Sequence, residues 1–300
     1  MFQIGDLVTR KSYDNDIIFR IIAIDDNNYI LKGEVVRLYA DSPKEDLKIY
    51  VDDDKDDFAP EIDNFRNLDR NEYFYLPGKI VHLDQDLSFM NKCMNFYKKN
   101  RIKAYGICTD GKDLSNVVTE SLNKYNPDII VITGHDALYR KKRKDNSYKS
   151  SDEFVAAIKT ARKYENSHEK LIIIAGACQS NYEELIKAGA NFASSPKRIN
   201  IHALDPAIIA TCLAFSDKNK DIDLIKILNK TKYGSDGIGG IGQHQVKLPE
   251  PAVHQKGRIS QGVLIGDLKV PYAMDEEIHT GDGGRQAVDL LSIEAHAPTR

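Results

Sequence analysis

Apolar and polar positions alternate in short runs at the start of the chain: Phe2, Ile4, Leu7 and Val8, then Ile17 to Ile24, Tyr29 to Leu31, and Val35 to Tyr39. A period of two turns one face of an extended strand toward a core. Gly5-Asp6, Asp14-Asn15-Asp16, Asp25-Asp26-Asn27-Asn28 and Gly33 fall between the runs at hairpin spacing. Residues 1–51 are therefore expected to form a small antiparallel β-barrel. The pattern stops at Asp52, where aspartate fills every position to Asp57 except Lys55, and polar residues continue to about Asn71. Like charges in a run repel one another and stay solvated, so residues 52–77 read as an acidic, polar linker.

From Gly78 the period changes. Lys79 to Leu83, Lys103 to Cys108, Asp128 to Thr133, Leu171 to Ala175 and Ile199 to Ala203 have the length and β-branched content of strands. Amphipathic stretches of helical length separate them: Leu87 to Lys99, Asp113 to Lys124, Asp152 to Tyr164, Tyr182 to Ala188 and Pro206 to Phe215. Strands and helices in alternation mean parallel strands joined by crossovers, with helices on both faces. The fold class expected for residues 78–242 is thus α/β, a Rossmann-like, mainly parallel sheet flanked by helices. A further helix is expected at Asp221 to Lys232, followed by a glycine-rich segment. Residues 243–300 read as a C-terminal extension holding two short β-like runs, Val263 to Ile265 and Leu268 to Val270.

Composition narrows the classes. A 41% hydrophobic share over 300 residues suffices for a buried core, and 42 basic against 45 acidic residues leave no positive field to attract nucleic acid. The longest apolar runs, such as Leu171 to Ala175, fall far short of the roughly 20 residues that span a bilayer, so no membrane partner is expected. No basic segment followed by a long apolar core opens the chain, which makes the cytoplasm the expected place of synthesis. Cys93, Cys108, Cys178 and Cys212 are too few and too scattered for a disulfide scaffold. The histidines lack metal-ligand spacing, and neither a metal nor a cofactor is expected.

In an open parallel sheet the binding crevice lies beyond the carboxyl ends of the strands. The strand ending at Thr133 runs into Gly134-His135-Asp136, and the strand ending at Ala175 runs into Gly176-Ala177-Cys178-Gln179-Ser180. On neighbouring strands, His135 and Cys178 emerge at one edge of the sheet, as base and nucleophile. Gly134 and Gly176 let backbone amides approach a substrate, and the start of the following helix favours a Cys178 thiolate and offers its amide to an oxyanion. Gly176 and Gln179, which flank the cysteine, are assigned to substrate binding. Taken singly, a cysteine after a buried strand is a small core hydrophobe and a histidine there a capping group, and their pairing is what favours catalysis.

The other candidates rank lower. Cys93 and Cys212 lie on apolar helical faces, Cys108 has no histidine after it, and His82 and His202 lie inside strands. Gly237-x-Gly239-x-x-Gly242 has the spacing of a dinucleotide loop but no strand before it or helix after it. Arg140 to Lys144 is a basic run that reads as a solvated loop or a site of self-cleavage.

Several long segments carry a resemblance: Phe2 to Val8 with Arg10-Lys11-Ser12-Tyr13, Val131 to Ala137, Ala175 to Ser180, Ala188 to Pro196, and Arg198 to Pro206. Over residues 1 to about 240 the chain resembles the sporulation-specific protease YabG family, caspase-like cysteine peptidases. The resemblance implies a cysteine endopeptidase that cleaves after arginine, processes spore coat and germination proteins, and acts in the mother cell and the spore coat. It also implies an oxyanion hole made by the backbone amides of Asp136 and Cys178. Asp136 stands where caspase-like enzymes usually have glycine, and Gly176 stands where relatives of basic specificity have an acid. Asp205 is then the first candidate for the arginine-binding carboxylate and Asp136 the second. Two other classes remain open, a non-enzymatic coat or scaffold protein and a cysteine-dependent amidase for small molecules.

Overall fold

The computed structural model describes residues 2–25, 28–51, 58–62, 77–109, 113–135, 138–139, 147–148, 151–216, 222–240, 278–281 and 285–289. Outside them lie the run Asp52 to Asp57, the run Arg140 to Lys144, Asp136, Gly242, and the β-like runs at Val263 to Ile265 and Leu268 to Val270.

The N-terminal strands are β1 (Leu7–Arg10), β2 (Phe19–Asp25), β3 (Asn28–Gly33), β4 (Tyr39–Pro43) and β5 (Leu47–Ile49). They form one antiparallel sheet in the order β4-β3-β2-β1-β5. The alternating positions Phe19 and Ile21, Tyr29 and Leu31 pack with Val8 and Leu47 into a small core, as the period of two requires. The edge strands β4 and β5 are separated in sequence by the turn Lys44–Asp46 alone, which keeps their ends within about 15 Å and makes the sheet curl. No ladder joins β4 to β5 among the described residues, so the sheet is open where the sequence predicted a barrel.

The second sheet has the order β13-β12-β11-β8-β6-β7-β15-β14. Its five central strands are parallel: β6 (Ile80–Asp84), β7 (Ala104–Cys108), β8 (Ile129–Thr133), β11 (Ile172–Gly176) and β12 (Phe192–Ser194). Three antiparallel strands extend it, β13 (Ile238–Gly240) beyond β12, and β15 (Arg285–Asp289) with β14 (Ile278–Gly281) beyond β7. A two-residue hairpin, β9 (Leu138–Tyr139) with β10 (Ser147–Tyr148), follows β8.

Helices cover both faces. Met90, Cys93, Met94 and Tyr97 of α1 (Leu87–Lys99) join Ile208 and Ile209 of α5 (Asp205–Phe215) over Ile80, Val131 and Ile174. On the other face α2 (Leu114–Tyr125), α3 (Ser151–Tyr164) and α4 (Tyr182–Lys187) close over Val81, Ile130 and Ile173. Each central strand therefore contributes apolar side chains to two cores, which is why its sequence runs apolar without alternation. Replacing Ile130, fully buried in β8, by alanine should cost about 2–5 kcal/mol in urea unfolding, and an unchanged midpoint would contradict the two-faced burial.

Several expectations change. Ile199 to Ala203 is not a strand: Ser195 and Arg198 adopt left-handed backbone after β12, and only His202 pairs, with Val36 of the N-terminal sheet. The fifth parallel strand is instead β12, too short to stand out. The helix expected at Asp221 to Lys232 is reduced to α6 (Leu224–Leu228). Val35 to Leu38, predicted as part of a strand, is the loop between β3 and β4. Within the segment read as a linker, Ile62 and Phe58 pack onto the core around α5. No helix among the described residues is long and apolar enough to cross a membrane.

Candidate active site

In the parallel part of the sheet the chain runs β6 to its neighbour β7, then crosses to β8 on the other side of β6. Strand order thus reverses at the β6/β8 boundary, and loops leaving the two strands diverge to open a crevice at their carboxyl ends. Asp84, Gln85 and Asp86 leave β6 there, Gly134 and His135 leave β8, and the turn holding Cys178 leaves the adjacent β11.

Gly176 is paired with Thr133 in the β11/β8 ladder, so His135 and Cys178 each lie two residues beyond one register position. His135 is held at three points. Its backbone N–H donates to Gln85 Oε1 at 3.0 Å, its ring lies 4.4 Å from that of Tyr39, and its Nε2 is 3.1 Å from Asp86 Oδ2. Nδ1 is buried and has no hydrogen-bond partner among the described residues. With an ionised carboxylate at Nε2, that nitrogen carries the proton and Nδ1 offers its lone pair.

Asp86 was not singled out in the sequence. Its Oδ1 caps α1 by accepting from Ser88 N at 2.9 Å, while Oδ2 receives His135 and the Lys32 ammonium, 2.6 Å away. Burial favours its neutral form, but these bonds and the Lys32 charge outweigh that and hold the carboxyl far below the usual carboxylate range.

Cys178 lies in the turn that follows β11. Helix α4 starts four residues later at Tyr182, so the thiol is not in the helix's first turn as expected from the sequence. Ala177 N–H donates to Ser180 Oγ at 2.7 Å, and Gln179 takes a left-handed backbone at φ 57°. The Cys178 N–H makes no hydrogen bond among the described residues. Gly176, at φ 121°, takes a backbone that L side chains rarely adopt, and a Cβ there would crowd Ser194 and Leu185 at 3.0 and 3.1 Å. The thiol is fully buried, donates to Ile201 O at 3.6 Å, and packs against Val36 and Ile201. Burial pushes its pKa up, against the pull of the nearby Arg37 charge, so the thiol is neutral in this arrangement.

Arg37 is the other residue the sequence did not flag. Its guanidinium is fully buried, with Nε and Nη2 donating to Asp84 Oδ2 at 3.0 and 2.7 Å and Nη1 to Ala203 O at 2.8 Å. Burial disfavours the charge, yet the neighbouring Asp84 carboxylate raises the guanidinium pKa and keeps it charged. Asp205, the predicted arginine-binding carboxylate, begins α5 and accepts from His202 N at 3.1 Å and Lys232 N at 2.9 Å. Burial pushes its carboxyl up to about 6, and Arg37 pulls against that through space without touching it. The remaining candidates are structural. His82 is buried between the Tyr97 hydroxyl and Thr133 Oγ1, both at 2.9 Å, and burial lowers its pKa to about 3. Cys93 and Cys212 pack in the core under α1 and α5.

A crevice at a strand-order reversal, a histidine oriented by a carboxylate, and a cysteine at the same register are the parts of an acyl-transfer site. The chain matches the family described as YabG peptidase U57 over residues 3–64 and 54–249. It is also 41% identical over 273 residues, covering 80% of this chain and 94% of the relative, to the sporulation-specific protease YabG of Bacillus subtilis (strain 168).

Proposed function

The chain belongs to the YabG peptidase U57 family, and on that premise we propose that it is a cysteine endopeptidase with Cys178 as nucleophile and His135 as general base. The observation that carries the assignment is the state of His135: Nε2 is fixed on Asp86, and Nδ1 is left bare on a residue that leaves β8, the strand beside the one that Cys178 follows. In this reading Nδ1 takes the thiol proton as sulfur attacks the scissile carbonyl carbon. The Cys178 amide, with that of Asp136 from the sequence, holds the oxyanion. Collapse breaks the C–N bond, and His135 returns the proton to the leaving amine. Water then hydrolyses the thioester, with His135 again taking a proton, and free thiol is restored.

We read residues 78–242 as a caspase-like peptidase unit with residues 1–51 as a distinct N-terminal unit. The relative's name as a sporulation-specific protease supports action during sporulation; substrates among spore coat and germination proteins, and action in the mother cell and coat, are what the family resemblance implies. Cleavage falls after arginine. Full burial of Cys178 is what a non-catalytic scaffold would also show, but membership of a peptidase family weighs against that reading. The test is to incubate the protein with a peptide pool varied at every position and map new termini by mass spectrometry. Cuts on the carboxyl side of arginine that Cys178→Ala abolishes are expected, while cuts spread over residue types would overturn the specificity, and cuts that persist in Cys178→Ala the assignment of the nucleophile.

A further inference from the structure

The loop between β3 and β4 lies where a substrate would have to lie. Val36 pairs antiparallel with His202, and Ala203 N–H donates to Val35 O at 2.8 Å, so a short extended peptide runs along the segment that follows β12. Its next side chain, Arg37, turns into a closed pocket and bonds to Asp84 at the carboxyl end of β6. Val36 shares a buried cluster with Cys178 and Ile201, and the Tyr39 ring lies against that of His135. Lys32 clamps the same hairpin to Asp86, and Lys92 of α1 donates to Glu34 O at 2.7 Å. A carbonyl carbon has to approach Sγ closely for attack, and a thiol with no exposed surface admits none.

We infer that residues 35–38 occupy the substrate groove in cis, with Arg37 in the place of a substrate arginine and Asp84 as the carboxylate of the primary pocket, so that the hairpin must withdraw before a substrate binds. The inference rests on Cys178 being the nucleophile, and deepens that reading. The contacts of Val35, Val36 and Arg37 with the parallel-sheet unit are ones an incoming peptide would make: main-chain pairing at one edge, and a buried cation on an acid. A hairpin tip anchored by its own strands pays little ordering cost to stay seated, which suits an occupant that holds the site closed. A competing protein substrate has to present its own extended arginine segment and outcompete a tethered one, which disfavours chance cleavage.

The test uses the full chain and reads Cys178 directly. Iodoacetamide labelling of the native protein is followed by mass spectrometry, with half-buried Cys108 as internal reference, for wild type, Arg37→Ala and Val36→Ala. Labelling of Cys178 relative to Cys108 should rise at least tenfold in Arg37→Ala and several-fold in Val36→Ala, which keeps the Arg37–Asp84 pair should the first variant fail to fold. In whichever variant is opened, a peptidyl-arginyl chloromethyl ketone should label Cys178 at least tenfold faster than its norleucyl analogue, and Asp84→Asn should erase that preference. Equal Cys178 labelling in wild type and in the folded variants, or no arginine preference after opening, would overturn the inference. An opened Cys178 that labels freely in a protein that cuts no peptide would sink the peptidase reading while leaving the covering loop in place.

Discussion

Replacing Cys178 by alanine is expected to lower kcat/KM for any peptide the protein cleaves by about 10⁴-fold or more, with the fold intact. The size of the loss follows from the chemistry: without sulfur no acyl-enzyme forms, and only the positioning of substrate and the oxyanion donors remain to assist water. The thiol is buried against Val36 and Ile201, so its removal leaves a void about the size of one sulfur atom and costs on the order of 1 kcal/mol. Turnover measured on a peptide with a mapped cut, together with a thermal melt, separates the two effects. A Cys178→Ala protein that cuts at the wild-type rate would remove Cys178 from the mechanism, whatever the geometry of His135. Cys178→Ser should behave almost as badly, since the hydroxyl is far harder to deprotonate than a thiol at the same position.

Both members of the proposed pair were legible in the sequence because each ends an apolar β-run and is flanked by small residues, Gly134 before His135 and Gly176-Ala177 before Cys178. Asp86 was not, because in sequence it is only an N-cap, an aspartate just before α1. Its second role depends on which strands are neighbours: β6 lies beside β8, and strand order is fixed by packing of the crossovers rather than by any local period. The reversal of strand order at β6/β8 is the signal that leads to it, and it is visible only in three dimensions.

The covering loop was misread for a related reason. Val35, Val36 and Leu38 look like strand residues facing the N-terminal core, and periodicity does not say which core an apolar side chain enters; Val36 enters the crevice of the other sheet. Arg37 was not singled out, since a buried guanidinium is recognisable only with its partner Asp84, 47 residues away. Asp205 was placed at a strand end by the alternation of elements, and the absence of that strand puts it at the start of α5, with its carboxylate on two backbone amides.

Asp86→Asn is expected to reduce kcat by about 10²–10⁴-fold while changing KM by no more than a few-fold, because it acts on the base rather than on substrate binding. Asparagine keeps the volume and one oxygen, so the cap on Ser88 N–H survives and α1 still starts at Leu87. What changes is the atom facing His135 Nε2: an amide NH2 there opposes the ring N–H, the imidazole is driven to the tautomer with its proton on Nδ1, and that nitrogen no longer accepts from the thiol. Lys32 also loses its 2.6 Å partner, which loosens the covering hairpin, so Cys178 should alkylate faster in this variant even as turnover collapses. The pH dependence separates this from general damage. Burial opposes the Asp86 charge, but the bonds from His135, Lys32 and Ser88 hold the folded carboxyl far below its unfolded value of about 4. A depressed acid stabilises the fold above the unfolded pKa and loses that contribution as pH falls. The stability deficit of Asp86→Asn should therefore be constant from pH 8 to about 5 and shrink below about pH 4, when the unfolded wild-type carboxyl takes up its proton. A variant with unchanged kcat would show that Asp86 caps α1 and does nothing for His135, and a deficit that grows on acidification would show that the folded carboxyl is not held below its unfolded value.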